Sequence, residues 1–176
     1  MTGPTTTAHQ TWPAWLTGVS VFLGLRILGV LEPSWVSAFG RMAAAVAAIL
    51  LGVPLEGGSE PVLAHPDYPI QVVVTCSGWS FFCLLAALLS GRAMFMPRGV
   101  RSRWPLAVLA IPVAALLALL TNAGRFVAVL VGGLYVLPHL PSVAVASFHT
   151  ALGVAVFLPV LIITYVFWDR RFSHVG

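Results

Sequence analysis

The chain has 176 residues, 59% hydrophobic and 8% charged, with a mean hydropathy of +0.98 and a formal net charge of +4. Soluble domains carry about 25% charged residues, so this chain lacks the polar surface to fold in water and its solvent is the lipid bilayer. The positive charge comes from arginine alone, and the arginines stand at segment ends rather than on one patch; they report orientation and exclude a nucleic-acid footprint.

The first apolar run is about Trp15–Leu31 and the second about Val36–Pro54, joined by the turn Glu32-Pro33-Ser34-Trp35. Residues 1–14 lack the basic segment of a cleavable signal peptide, so the membrane segments themselves direct insertion. Glu56–Pro69, with its acids and prolines, reads as a surface loop. The β-branched run Ile70–Thr75 is expected to be extended, and Ser77–Leu89 to form a short helix. Gly91–Arg103 is a loop carrying Arg92, Arg98, Arg101 and Arg103. Trp104–Thr121 spans next, bent near Pro112. Phe126–Leu137, interrupted by Gly132-Gly133, is far shorter than the ~20 residues a span needs, and is expected to be re-entrant or interfacial. Val143–Trp168 is the last span, followed by Asp169-Arg170-Arg171. The expected architecture is an all-α, polytopic helical membrane protein. It has about five spanning helices plus one short re-entrant or interfacial segment, in a single domain over 1–176.

The positive-inside rule gives a direction. Loop 91–103 and tail 169–176 are assigned to the cytoplasm, with Arg26 and Arg41 snorkelling to the same side. The N-terminal tail 1–14 and the acidic loop 55–75 are assigned outside. Cys76, Arg125 and His149 then all fall at the outer boundary. Were 122–138 a full span instead, Arg170 and Arg171 would lie outside and the three residues would be split, against the charge rule.

Cys76 stands where extended chain turns into helix, in Thr75-Cys76-Ser77-Gly78-Trp79. Unpaired N–H groups and the helix dipole favour a thiolate there, whereas most free cysteines are small buried hydrophobes. Gly78 leaves room for a substrate backbone. On a helix Cys83 lies about 10 Å further along the axis, beyond disulfide reach, amid apolar neighbours that make it structural. Arg125 is a charge among apolar residues, which is costly and points to function; the plain alternative is a lipid-phosphate anchor. Asn122 either donates a hydrogen bond to substrate or caps a turn. His149 opens the last span with an imidazole suited to proton transfer, set against an ordinary interfacial histidine. His139 is a reserve, and Asp67 a weak candidate to orient His149. No Cys-x-x-Cys or His/Cys cluster suggests a metal site, and no histidine pair suits haem, so no metal and no cofactor is expected.

The ordered set Cys76-Ser77-Gly78, Asn122-x-x-Arg125 and His149-x-x-x-Gly153 on hydrophobic segments resembles the exosortase/archaeosortase family, over about Val72 to Trp168. The resemblance implies a multi-pass enzyme of a prokaryotic cytoplasmic membrane, a thiol protease or transpeptidase with its active site on the extracytoplasmic side. Its substrate would be the C-terminal sorting-signal peptide of a secreted, membrane-anchored protein. It implies catalytic roles for Cys76, Arg125 and His149 and for no other residue; Ser77, Gly78 and Asn122 are expected to contact substrate from their own positions beside them. Trp79 departs from the aliphatic residue frequent after the family's glycine, and the chain has few N-terminal helices. A non-catalytic membrane scaffold or transporter subunit is the alternative.

Overall fold

The computed structural model describes residues 12–58, 60–73, 76–94, 100–139 and 141–173. The N-terminal tail up to Thr11, Val74, Thr75, Arg98 and His174 lie outside the described residues, as do the side chains of Arg101 and Arg171. Five helices form in chain order: α1 (Trp12–Leu31), α2 (Pro33–Leu51), α3 (Trp79–Met94), α4 (Val100–Tyr135) and α5 (Ser142–Ser173). Four of them, α1, α2, α4 and α5, contain stretches long and apolar enough to cross a membrane. Large side chains such as Trp15, Ile27, Ile49, Leu116 and Ile163 are exposed along their flanks. A surface this apolar has lipid, not water, as its medium. The fold is thus that of an all-α membrane protein.

Local chemistry sets the helix ends. Pro33 opens α2 at a position where its missing N–H costs nothing. Gly52 closes it in the left-handed region at φ 65°, returning backbone N–H bonds to Ala48 and Ile49 carbonyls. The segment beyond, expected to be a surface loop, holds a three-stranded antiparallel sheet: β1 (Leu55–Glu56), β2 (Val62–Leu63) and β3 (Ile70–Gln71). Leu55 pairs with Leu63, and Leu63 in turn with Ile70. The extended character expected from Ile70 onward is present, in a strand of two residues.

The helices sort into two levels about Asn122. α1 packs antiparallel on α3: Gly18 lies against Ala87, Gly91 against Ala14, and Gly29 against the Trp79 ring. A Cβ on Gly18 or Gly91 would come within 3.1 Å of a facing carbonyl oxygen, so these small residues permit close backbone approach. α3 in turn packs on the first part of α4, sharing a core of Leu85, Ala86 and Leu89 with Ala110, Ala114 and Ala118. The Ser90 hydroxyl donates to the Ala107 carbonyl at 2.9 Å. α2 covers the later part of α4 instead: Ala43, Ala44 and Ala47 meet Ala123, Phe126 and Leu130, with Leu63 and Ile70 of the sheet completing that core.

Three expectations change. The segment Phe126–Leu137 is not a separate helix: up to Tyr135 it is the end of α4, 36 residues long and about 54 Å at the α-helical rise, and Leu137 opens the 3-10 turn that follows. The glycine pair that reads as a breaker is a packing device. A Cβ on Gly132 would strike the Phe148 ring of α5, and one on Gly133 would strike the ring of Tyr68. Second, α1 begins at the end of the molecule that carries Arg92, because Ala14 lies against Gly91; Ala14 and the basic loop are on the same side, not opposite ones. Third, α1 therefore ends beside the start of α3, so Arg26 stands at the Cys76 end rather than the basic end, its guanidinium donating to the Ser80 hydroxyl at 2.8 Å. Gly133→Ala is expected to lose about 1–3 kcal/mol by overpacking, read from thermal unfolding in detergent. Adding Tyr68→Ala should return most of that loss.

Candidate active site

The site forms where the two levels meet. Cys76 lies on the short connection between β3 and α3, its N–H bonded to the Val73 carbonyl at 2.8 Å. The Ser77 hydroxyl accepts the Trp79 N–H at 3.3 Å, a local i to i+2 bond that ties the turn to the start of α3. Between them Gly78 adopts φ +78°, the left-handed region that disfavours any side chain. A Cβ there would also come within 2.8 Å of the Asn122 side chain. Glycine at 78 is thus required twice, by conformation and by space.

Asn122 fixes this turn from the other wall. It is fully buried, and its amide donates to the Cys76 carbonyl at 3.0 Å. Its Oδ1 is buried without a partner, a costly state kept in place by the packing around it. Three residues later on the same face of α4, Arg125 turns its guanidinium to the thiol, with Nη2 3.9 Å from the Cys76 Sγ. The i, i+3 spacing accounts for this: neighbours on one helix face hold the backbone and the sulfur of the same residue. Arg125 also sits 5.7 Å from the centre of the Phe157 ring, within cation–π range. Its Nε is buried with no partner, and no ion pair joins it to a carboxylate among the described residues.

His149 lies one turn before Gly153 on α5. A Cβ at Gly153 would reach within 3.6 Å of the Arg125 Nε, so that face of α5 approaches the guanidinium. His149 and Arg125 line one open cavity of about 510 Å³, floored by Phe81 and Phe157. Among the described residues no hydrogen bond joins His149 to Cys76. Asp67 gives its backbone N–H to His65 Nδ1 and makes no hydrogen bond to His149. His139 is exposed in the 3-10 turn Leu137–His139, beyond α4.

The structure therefore brings Cys76 and Arg125 into contact and places His149 on the wall of a cavity that Arg125 shares. Ser77 and Asn122, expected to touch substrate, use their polar groups on the turn that carries the thiol, although Ser77 and Gly78 also line a second cavity. Cys83 is fully buried in the α3 core, as its neighbours imply. Trp79 finds its partner in Gly29, and its indole N–H donates to the Leu25 carbonyl at 3.3 Å; the unusual tryptophan and the missing side chain on α1 are one packing solution. Sequence reasoning takes Arg26 only as a snorkelling charge and not as a site residue. It is an arginine inside an apolar run, the same signal that singles out Arg125.

Chemically, a thiol beside a guanidinium is placed to act as a nucleophile with a cation at hand. The same cation then faces any negative charge that develops on an attacked carbonyl. Among the described residues no group of His, Cys, Asp and Glu is arranged to hold a metal ion. Comparison with family models, with curated proteins and with solved structures finds no match to this chain.

Proposed function

We propose that the protein is a membrane-embedded thiol peptidase or transpeptidase of the exosortase kind, acting on the C-terminal sorting signal of a membrane-anchored protein. The observation that carries the reading is the 3.9 Å approach of the Arg125 guanidinium to the Cys76 sulfur, with no acid among the described residues paired to that guanidinium. An uncompensated arginine in an apolar setting costs several kcal/mol, and a thiolate or oxyanion beside it offsets that cost.

The reaction runs as nucleophilic substitution at a peptide carbonyl. His149 takes the thiol proton, and the thiolate forms a bond to the carbonyl carbon. Arg125 faces the oxyanion of the tetrahedral intermediate. The C–N bond then breaks as His149 returns the proton to the departing amine, leaving a thioester on Cys76. Water or an amine acceptor resolves the thioester. A substrate held by its own transmembrane helix is confined to the plane of the site, which raises its effective concentration.

The helix levels support a membrane placement. α1 has 20 residues, about 30 Å, which matches the hydrocarbon core. α3, the part of α4 before Asn122 and the part of α5 after Gly153 run beside it, making four crossings. Arg92, Arg103 and Arg170 stand at the end away from Cys76. The positive-inside rule puts that end in the cytoplasm and the thiol at the extracytoplasmic rim of a prokaryotic cytoplasmic membrane. Of the two cysteines, an impermeant methanethiosulfonate applied to intact cells is expected to label Cys76 and spare Cys83, as read by mass spectrometry. Labelling of Cys76 only after the membrane is opened would reverse the orientation. Failure to label it under either condition would favour a non-catalytic scaffold.

A further inference from the structure

A second cavity of about 570 Å³ is lined by Ser77 and Gly78, the residues that follow Cys76, and not by His149; two arginines also line it, Arg26 from α1 and Arg125 from α4. Ser77, Gly78 and Ser80 supply the polar remainder, and Phe157 forms part of the wall. No acid lines this cavity, and neither arginine is ion-paired to a carboxylate among the described residues. Arg26 is held toward the cavity by its 2.8 Å bond to Ser80, and the Arg125 Nε is buried with no partner at all. The Phe81 and Phe157 rings, stacked at 4.5 Å between centroids, border both this cavity and the one carrying His149. Arg125 is common to the two.

Two guanidiniums facing one cavity that no acid lines make a region of concentrated positive charge. Guanidinium forks match carboxylate geometry and form strong charge-assisted bonds; Arg125 is half-buried and Arg26 stands at the exposed mouth of the cavity. We propose that this cavity is a recognition subsite for a carboxylate side chain of the substrate peptide, with Arg26 as its specificity-determining residue. The inference rests on the thiol-nucleophile reading, because the group filling a cavity beside the Cys76 sulfur is continuous with the acyl chain delivered to it. The peptide backbone would run past Gly78, the acidic side chain entering between Arg26 and Arg125, the scissile carbonyl lying over the sulfur. Arg26 thus distinguishes acidic from neutral peptides without touching the reacting atoms.

The test uses the full chain in lipid nanodiscs and measures alkylation of Cys76. Iodoacetate, relative to iodoacetamide, is expected to react with a preference roughly tenfold above that of a free thiol, as one close charge pair implies. Arg26→Gln should remove the preference. N-acetyl-glutamic acid amide should protect Cys76 from iodoacetamide at about a tenth of the concentration needed by N-acetyl-glutamine amide. An unchanged iodoacetate preference in Arg26→Gln, or equal protection by the two amides, would overturn the subsite while leaving the nucleophile in place. Stronger protection by glycerol phosphate than by the glutamic acid amide would hand the cavity to a lipid headgroup and overturn the peptide assignment. Iodoacetamide reacting no faster at Cys76 than at Cys83 would instead remove the nucleophile itself.

Discussion

Replacing Cys76 by serine is expected to reduce cleavage of a co-produced membrane-anchored tail by roughly 10³-fold or more. The fold should remain intact. Cys76 holds its turn through the backbone, by an N–H bond to Val73 and by accepting the Asn122 amide, and serine keeps both. What serine lacks is an ionisable sulfur beside Arg125. A hydroxyl is far less acidic than a thiol, so a neighbouring guanidinium and imidazole cannot populate the attacking anion. The readout is the ratio of processed to full-length tail on a gel, beside equal amounts of the membrane protein. The tail to use ends in a short motif, one hydrophobic span and a basic cluster. Full processing by Cys76→Ala would exclude the sulfur as nucleophile, whatever its geometry.

That geometry was partly legible in the residues themselves. Cys76, Arg125 and His149 could be gathered at one boundary because polar groups are rare in this chain, and each rare group marks the edge of an apolar run. The all-α membrane class and the placement of Cys83 in a core followed from hydrophobicity alone. The path of the chain between those edges did not. Gly132 and Gly133 carry a strong breaking signal in isolation, and only Phe148 and Tyr68, 16 and 65 positions away respectively (148 − 132 and 133 − 68), turn them into contact surfaces within a continuous helix. The same holds for Arg26. The charge rule is blind to depth, and the ring of Trp79 seated on Gly29 is what fixes α1 antiparallel to α3 and so brings this arginine to the thiol. The small sheet was hidden because its strands are two residues each, below the length at which alternation can be read. Non-local packing, which no local pattern encodes, decided every one of these corrections.

Arg125 provides the sharpest separation of a catalytic from a structural role, because the two roles predict opposite changes in stability. Arg125→Gln is expected to lower kcat/KM for tail cleavage by about 10²–10³, the usual loss on removing a group that faces a developing oxyanion. Arg125→Lys should recover only part of the activity. A lysine ammonium is a compact charge without the planar fork, and it cannot reach the Cys76 sulfur and the second cavity together. Stability should move the other way. In the resting protein the guanidinium has no carboxylate partner, a buried Nε without a bond, and an aromatic face at 5.7 Å as its main compensation. Removing an uncompensated charge from an apolar setting relieves a desolvation penalty, so the glutamine variant should unfold in detergent at the same temperature as the parent or above it. A residue that anchors helices behaves otherwise, since its loss leaves a cavity and broken contacts. Arg125→Gln with normal cleavage and a markedly lower Tm would make this arginine a packing anchor, and the chemistry built on its contact with Cys76 would fall with it.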